Sequence, residues 1–188
     1  MLKRWGFKVS FVPASNIAYF GKYSDVLQKM GVECLYYPYI NSVGDYIKNE
    51  GDRYDLIVLS RVSVAVKYID IVREFAPQAK ILFSTVDLHF LREKREAELC
   101  GSDKQEISVR KTEEIEIGVM RKAHHTIVVS KAEYEMLRCL DPNISVSLVT
   151  IPREIPGRQK NFKDRRDIVF IGGYNHSPNI DAVQFFCL

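Results

Sequence analysis

The chain has 188 residues, 46% hydrophobic and 27% charged, which is enough for one good core or for one domain and the beginning of another. Its 27 basic and 24 acidic side chains leave a formal charge of only +3, and the densest charged tracts, 92–98 and 158–167, either mix signs or carry few positive charges; this excludes the concentrated basic face that nucleic acid requires. The N-terminus MLKRWGFK has no apolar signal-peptide core, no stretch is apolar for the ~18 residues that span a bilayer, and Cys34, Cys100, Cys139 and Cys187 form no CxxC pair, so free thiols in the cytoplasm are expected.

Leu2 to Gly6 reads as the last turn of a helix closed by glycine, followed by a strand at Lys8 to Val12. A β-loop-α unit then repeats. Asp25 to Met30 is helical and stops at Gly31, Val32 to Tyr36 is extended, Val43 to Glu50 is helical, and Asp55 to Ser60 is a strand. Val64 to Ala76 places Val64, Tyr68, Ile71, Val72 and Phe75 at helical spacing before Pro77, and the strand beginning at Lys80 follows. That strand, Ile81-Leu82-Phe83, runs through Ser84 and Thr85 into the ionisable cluster Asp87, His89, Arg92, Glu93 and Arg95. Helices are expected over Glu93 to Leu99 and Gln105 to Lys122, and a strand over Thr126 to Val129. Ser130-Lys-Ala-Glu133 fits the S-x-x-E capping box that opens a helix. After the turn Asp141-Pro142-Asn143 comes a strand from Val146 to Ile151, then a linker. A last strand at Asp167 to Ile171, the glycine turn Gly172-Gly173 and a helix beginning near Ser177-Pro178 complete the chain.

This alternation predicts an α/β fold, a Rossmann-like, mostly parallel sheet with helices on both faces. The domain organisation expected is residues 1–152, a linker at 153–166, and the first strand and helix of a second domain at 167–188. In such sheets ligands bind beyond the carboxyl ends of the strands, which directs attention to the exit of the Lys80 strand. Asp87 and His89, two apart, could pair as carboxylate and imidazole facing a cleft, or be a solvated carboxylate and a partly buried histidine. Arg92 and Arg95 could meet a phosphate or a sugar hydroxyl, or pair with Glu96 or Glu98. Arg61, directly after a strand, could face ligand or salt-bridge to a neighbouring loop. Gly172-Gly173 could let a backbone approach phosphate at a helix N-terminus, or could only resolve turn geometry. His124-His125 reads as helix-end charge or packing, and Tyr36, Tyr37 and Tyr39 as core and rim aromatics. No metal-ligand cluster, P-loop or Ser-His-Asp pattern stands out.

Four segments, FSTVDLHFLREKREAEL (Phe83 to Leu99), HHTIVVSKAEYEML (His124 to Leu137), VTIPREIPG (Val149 to Gly157) and RRDIVFIGGYNHSPNIDAVQFF (Arg165 to Phe186), resemble the glycosyltransferase group 1 proteins, family 4, of the GT-B fold. The resemblance implies two Rossmann-like domains with the active site between them, the N-terminal one binding acceptor and the C-terminal one the nucleotide-sugar donor. It implies sugar transfer with retention, without a metal or other cofactor. Asp87 and His89 would then line the cleft at the transferred sugar, Arg61 and Arg92 would contact the acceptor side, and Gly172 and Gly173 would lie near the donor diphosphate. The partners implied are a nucleotide sugar and a glycan or small-molecule acceptor, with peripheral membrane contact left open for a longer protein and no nucleic acid.

Set against that family, the first strand and its glycine-rich acceptor loop are expected upstream of Met1. The glutamate pair, arginine and lysine that hold the donor are expected beyond Leu188. The chain is thus expected to be a fragment of a retaining glycosyltransferase, inactive alone. The alternative from another class is a non-catalytic Rossmann-like module that binds a protein or a small anionic ligand. A dinucleotide-dependent oxidoreductase lacks its GxGxxG.

Overall fold

The structure is a computed structural model that describes residues 2–18, 21–100, 103–152, 155, 157–175 and 177–187. It divides into two compact units, Met1–Ile151 and Pro152–Leu188. In the first, a 3₁₀ turn at Leu2–Trp5 leads to β1 (Ser10–Phe11), α1 (Gly21–Lys29), β2 (Glu33–Cys34), α2 (Val43–Glu50), β3 (Leu56–Ser60), α3 (Val62–Phe75) and β4 (Lys80–Ser84). It continues with α4 (His89–Cys100), α5 (Asp103–Lys122), β5 (His125–Val128), α6 (Lys131–Leu140) and β6 (Val146–Leu148). Strands β3 to β6 form a parallel sheet in the order β3-β4-β5-β6, flanked by helices, so the fold is α/β and Rossmann-like.

Strand β4 lies inside this sheet and buries Ile81 and Phe83. Against them α3 presents Ala65, Tyr68, Ile69 and Val72, a stripe at spacings of three and four. The buried face of α3 is therefore rotated from the expected one: Val64, Ile71 and Phe75 are only partly buried at its flank. Helix starts and ends follow their local chemistry. Gly31, at φ +77, closes α1 with the bond pair Gly31 N–H to Gln28 O and Val32 N–H to Leu27 O, a Schellman ending that the left-handed backbone makes possible. The hydroxyl of Ser42 caps α2 by accepting from the Asp45 amide, and the expected capping box of Ser130 and Glu133 opens α6.

Strands β1 and β2 pair with each other in parallel as a separate two-stranded sheet, shorter than the five-residue runs expected at 8–12 and 32–36. The bonds Glu33 N–H to Val9 O and Leu35 N–H to Phe11 O commit the odd-numbered groups of β1 to β2. Likewise Lys80 N–H to Asp55 O and Arg61 N–H to Ser84 O commit the odd-numbered groups of β3 to β4. In a parallel ladder the intervening residues then turn their amides and carbonyls to the other edge, which on β3 belongs to Leu56, Val58 and Ser60. Among the described residues no strand pairs with that edge, and Val58 is 46% exposed.

The second unit carries a 3₁₀ turn at Phe162–Asp164 and α7 (Ser177–Cys187), with Pro178 in its first turn as expected. The strand expected at Asp167 to Ile171 is absent: those residues join no ladder, and Ile168 and Ile171 are 79% and 92% exposed. An extended segment becomes a strand only by pairing its backbone with a neighbour, and none of the described strands lies in this unit. Among the described residues no helix is long and apolar enough to cross a membrane.

Candidate functional site

The carboxyl ends of β3 and β4 meet at the bond from the Arg61 amide to the Ser84 carbonyl, 2.8 Å. Each strand leaves the sheet through a residue in the left-handed region, Arg61 at φ +74 and Val86 at φ +67. For a β-branched valine this is a strained conformation, and strain of that kind persists only where the surroundings over-determine it. Here they do. Thr85, fully buried, donates both its amide and its hydroxyl to the Ile127 carbonyl of β5, each at 3.1 Å, and pins the chain one residue before the strain.

After it come three consecutive amides fixed by two carboxylates from distant helices. The Leu88 amide donates to Glu133 Oε1 at 3.2 Å, the His89 amide to Glu116 Oε1 at 3.3 Å and the Phe90 amide to Glu116 Oε2 at 3.1 Å. Glu133 does this while its other oxygen accepts from the Ser130 amide, so one side chain closes the start of α6 and braces the start of α4. Glu116, from the middle of α5, is fully buried. Burial pushes its carboxyl up to about 7 against the lowering effect of the two amides, and the nearby anions Asp87 and Glu93 push the same way.

These braces set the two side chains singled out by sequence. His89 Nε2 is buried with no hydrogen-bond partner and lies 3.8 Å from Asp87 Oδ1. The other oxygen of Asp87 is held by Arg92 Nη1 in a short contact. Of the alternatives for Arg92, pairing with Glu96 or Glu98 is not seen among the described residues; the residue folds back onto Asp87, five positions earlier. Arg61 is exposed and makes no ion pair among the described residues. The helix start was expected at Glu93, but α4 begins at His89, because its cap comes from Glu116 and Glu133 rather than from a residue of its own segment.

The structure gives the remaining candidates other work. His124 accepts from the Ile81 amide through Nδ1 and donates its own amide to the Ile81 carbonyl, while the ring of His125 bridges Ser145 and Ser147 at 2.6 and 2.9 Å. Both are sheet fasteners. Tyr37 and Tyr39 are exposed, so of the three tyrosines only Tyr36 is partly covered. Gly172 and Gly173 sit in the second unit, neither with a left-handed φ. The space over Gly172 is taken by Phe170 and Asn179, and Asn179 Nδ2 donates to the Gly173 carbonyl at 2.9 Å, so the turn is held by its own side chains. Among the described residues no group of His, Cys, Asp and Glu is arranged to hold a metal ion.

Sequence reading missed Glu116. The available signal was a carboxylate in the apolar register of α5, between Val109 and Met120, where a solvated face would not place it. Comparison of the chain with protein-family models, with curated proteins and with solved structures finds no match.

Proposed function

We propose that this chain is the acceptor-side part of a retaining glycosyltransferase that uses a nucleotide-sugar donor, together with the opening of the donor-side half. The observation that carries the reading is the His89 ring: a buried, unpartnered Nε2 beside Asp87, at the carboxyl edge of a parallel sheet and next to a strained Val86. A buried polar atom without a partner calls for an explanation, and a sugar hydroxyl bonding to it supplies one. Asp87 lies beside the imidazole and is itself held by Arg92, which suits Arg92 to positioning Asp87 and leaves Arg61 open to an acceptor's anionic or hydroxyl groups.

In this reading His89 and Asp87 fix the sugar while its bond to the donor diphosphate breaks, and positive charge and amides stabilise the departing diphosphate. The first amides of α4 are not among them, because Glu116 and Glu133 already take them. Gly172-Gly173 with the start of α7 is assigned to the diphosphate side on the resemblance of that segment alone.

The test is transfer and hydrolysis with a panel of nucleotide sugars, on a polypeptide that joins this chain to a nucleotide-sugar-binding half. Turnover with at least one donor, and its reduction by roughly a hundredfold in His89→Ala, is expected. No turnover with any donor, or full activity in His89→Ala, removes the reading.

A further inference from the structure

We infer that Glu116 is a proton-responsive positioning residue for the His89 and Asp87 pair: ionised, it holds the first turn of α4 by both oxygens, and protonated, it releases one of the two amides. The inference builds on the reading of this edge as the site, but its chemistry needs only the geometry.

A carboxylate has an acceptor on each oxygen and so matches the two adjacent amide donors, His89 and Phe90. A carboxylic acid has a hydroxyl on one oxygen, and a hydroxyl proton turned toward an N–H group is repelled by it. The amides therefore select the ionised form, and by reciprocity the ionised form fixes the amides. Burial works in the opposite direction and brings the balance to about 7, so small changes of pH move the population. The charged groups acting on Glu116 from the loop and helix packed over it are Asp87 and Glu93, both anionic. Arg92 pairs with Asp87, and Glu133 on α6 holds the neighbouring Leu88 amide.

The consequence falls on His89 because its own amide is one of the two held. Loss of that bond frees the residue whose ring carries the unpartnered Nε2, while Leu88 stays anchored by Glu133 and Thr85 by Ile127. Glu116 thus acts on the site through the backbone, without touching what the site binds.

The experiment is an NMR titration of the isotopically labelled chain between about pH 5.5 and 8.5. The amide protons of His89 and Phe90 are expected to shift together with a midpoint near that of the Glu116 side-chain carboxyl carbon, and the nuclear Overhauser contacts of the His89 ring with Asp87 to weaken as that carbon protonates. The Leu88 amide is expected to lack the inflection. In Glu116→Gln the shared inflection disappears from the two amides. A carboxylate that only stabilised the fold would alter the unfolding midpoint and leave the His89 and Phe90 amides without an inflection that tracks the carboxyl carbon. Amides of His89 and Phe90 that stay flat, or that keep their inflection in Glu116→Gln, overturn the inference. Should that variant fail to fold, the unsubstituted chain decides: coincident midpoints for the carboxyl carbon and the two amides support it, and separate ones reject it. These readouts need no transfer activity, so a null transfer assay with a positive titration discards the proposed reaction and keeps Glu116 as the proton-responsive brace.

Discussion

The exit of β4 and the turn at Gly172-Gly173 share one grammar, an apolar extended run, a short polar turn and a helix, yet they are held in different ways. At β4 the turn is fastened by Ile127 from β5, Glu116 from α5 and Glu133 from α6, partners 26 to 45 residues away in sequence. At Gly172 the neighbours are Phe170 and Asn179, within seven positions. A turn fixed by remote buried groups can hold a strained residue and an unpartnered imidazole; a turn fixed by its own neighbours cannot store either. That difference, more than the presence of glycine or of an Asp-x-His pair, separates a built site from a local turn.

The contrast is sharpened most by pH. Glu116 is raised from 4.5 to about 7 on folding, so between those values the folded chain binds more protons than the unfolded one. Stability against urea is therefore greatest below the unfolded value and falls as pH rises to about 7, where the loss levels off. The size is about 3 kcal/mol, and Glu116→Gln removes that slope; urea melts across the pH series measure it. Next in size is Val86→Gly. Glycine adopts the left-handed backbone freely, so relief of strain less the added unfolded-state entropy raises stability by about 1 kcal/mol in the same melts, while any activity of the site declines as the loop loosens. The smallest effect belongs to Gly172→Ala. The new Cβ meets Phe170 and Asn179 at 2.7 to 2.9 Å, both side chains that can turn outward, so the unfolding free energy of the first unit, from the same melts, stays within about 0.5 kcal/mol of the original. A loss of several times that amount would mean that the two turns are fastened alike.

How much of this was legible in sequence follows from the range of the forces. The helix α6 could be read because its signal, Ser130 with Glu133, acts within one turn. Strands β3 and β4 could be read because a buried parallel strand is apolar through its length. Asp87 and His89 do lie together at the edge where they were expected. The start of α4, the second task of Glu133 and the whole of Glu116 could not be read, since each depends on a contact between segments far apart in the chain. Asp167 to Ile171 failed for the complementary reason: its composition suits a strand, but a strand is a property of a pair.

The open side of β3 has a consequence for the chain as a material. Leu56, Val58 and Ser60 offer amides and carbonyls in register along a strand that contains no lysine, proline or bulge to turn a visitor away. Such a margin is a ready template: an extended apolar segment running alongside would gain a full ladder of bonds and cover Leu56 and Val58 in one step. Self-association that rises with concentration, and a response to added β-forming segments, are the behaviours expected of a sheet with that margin.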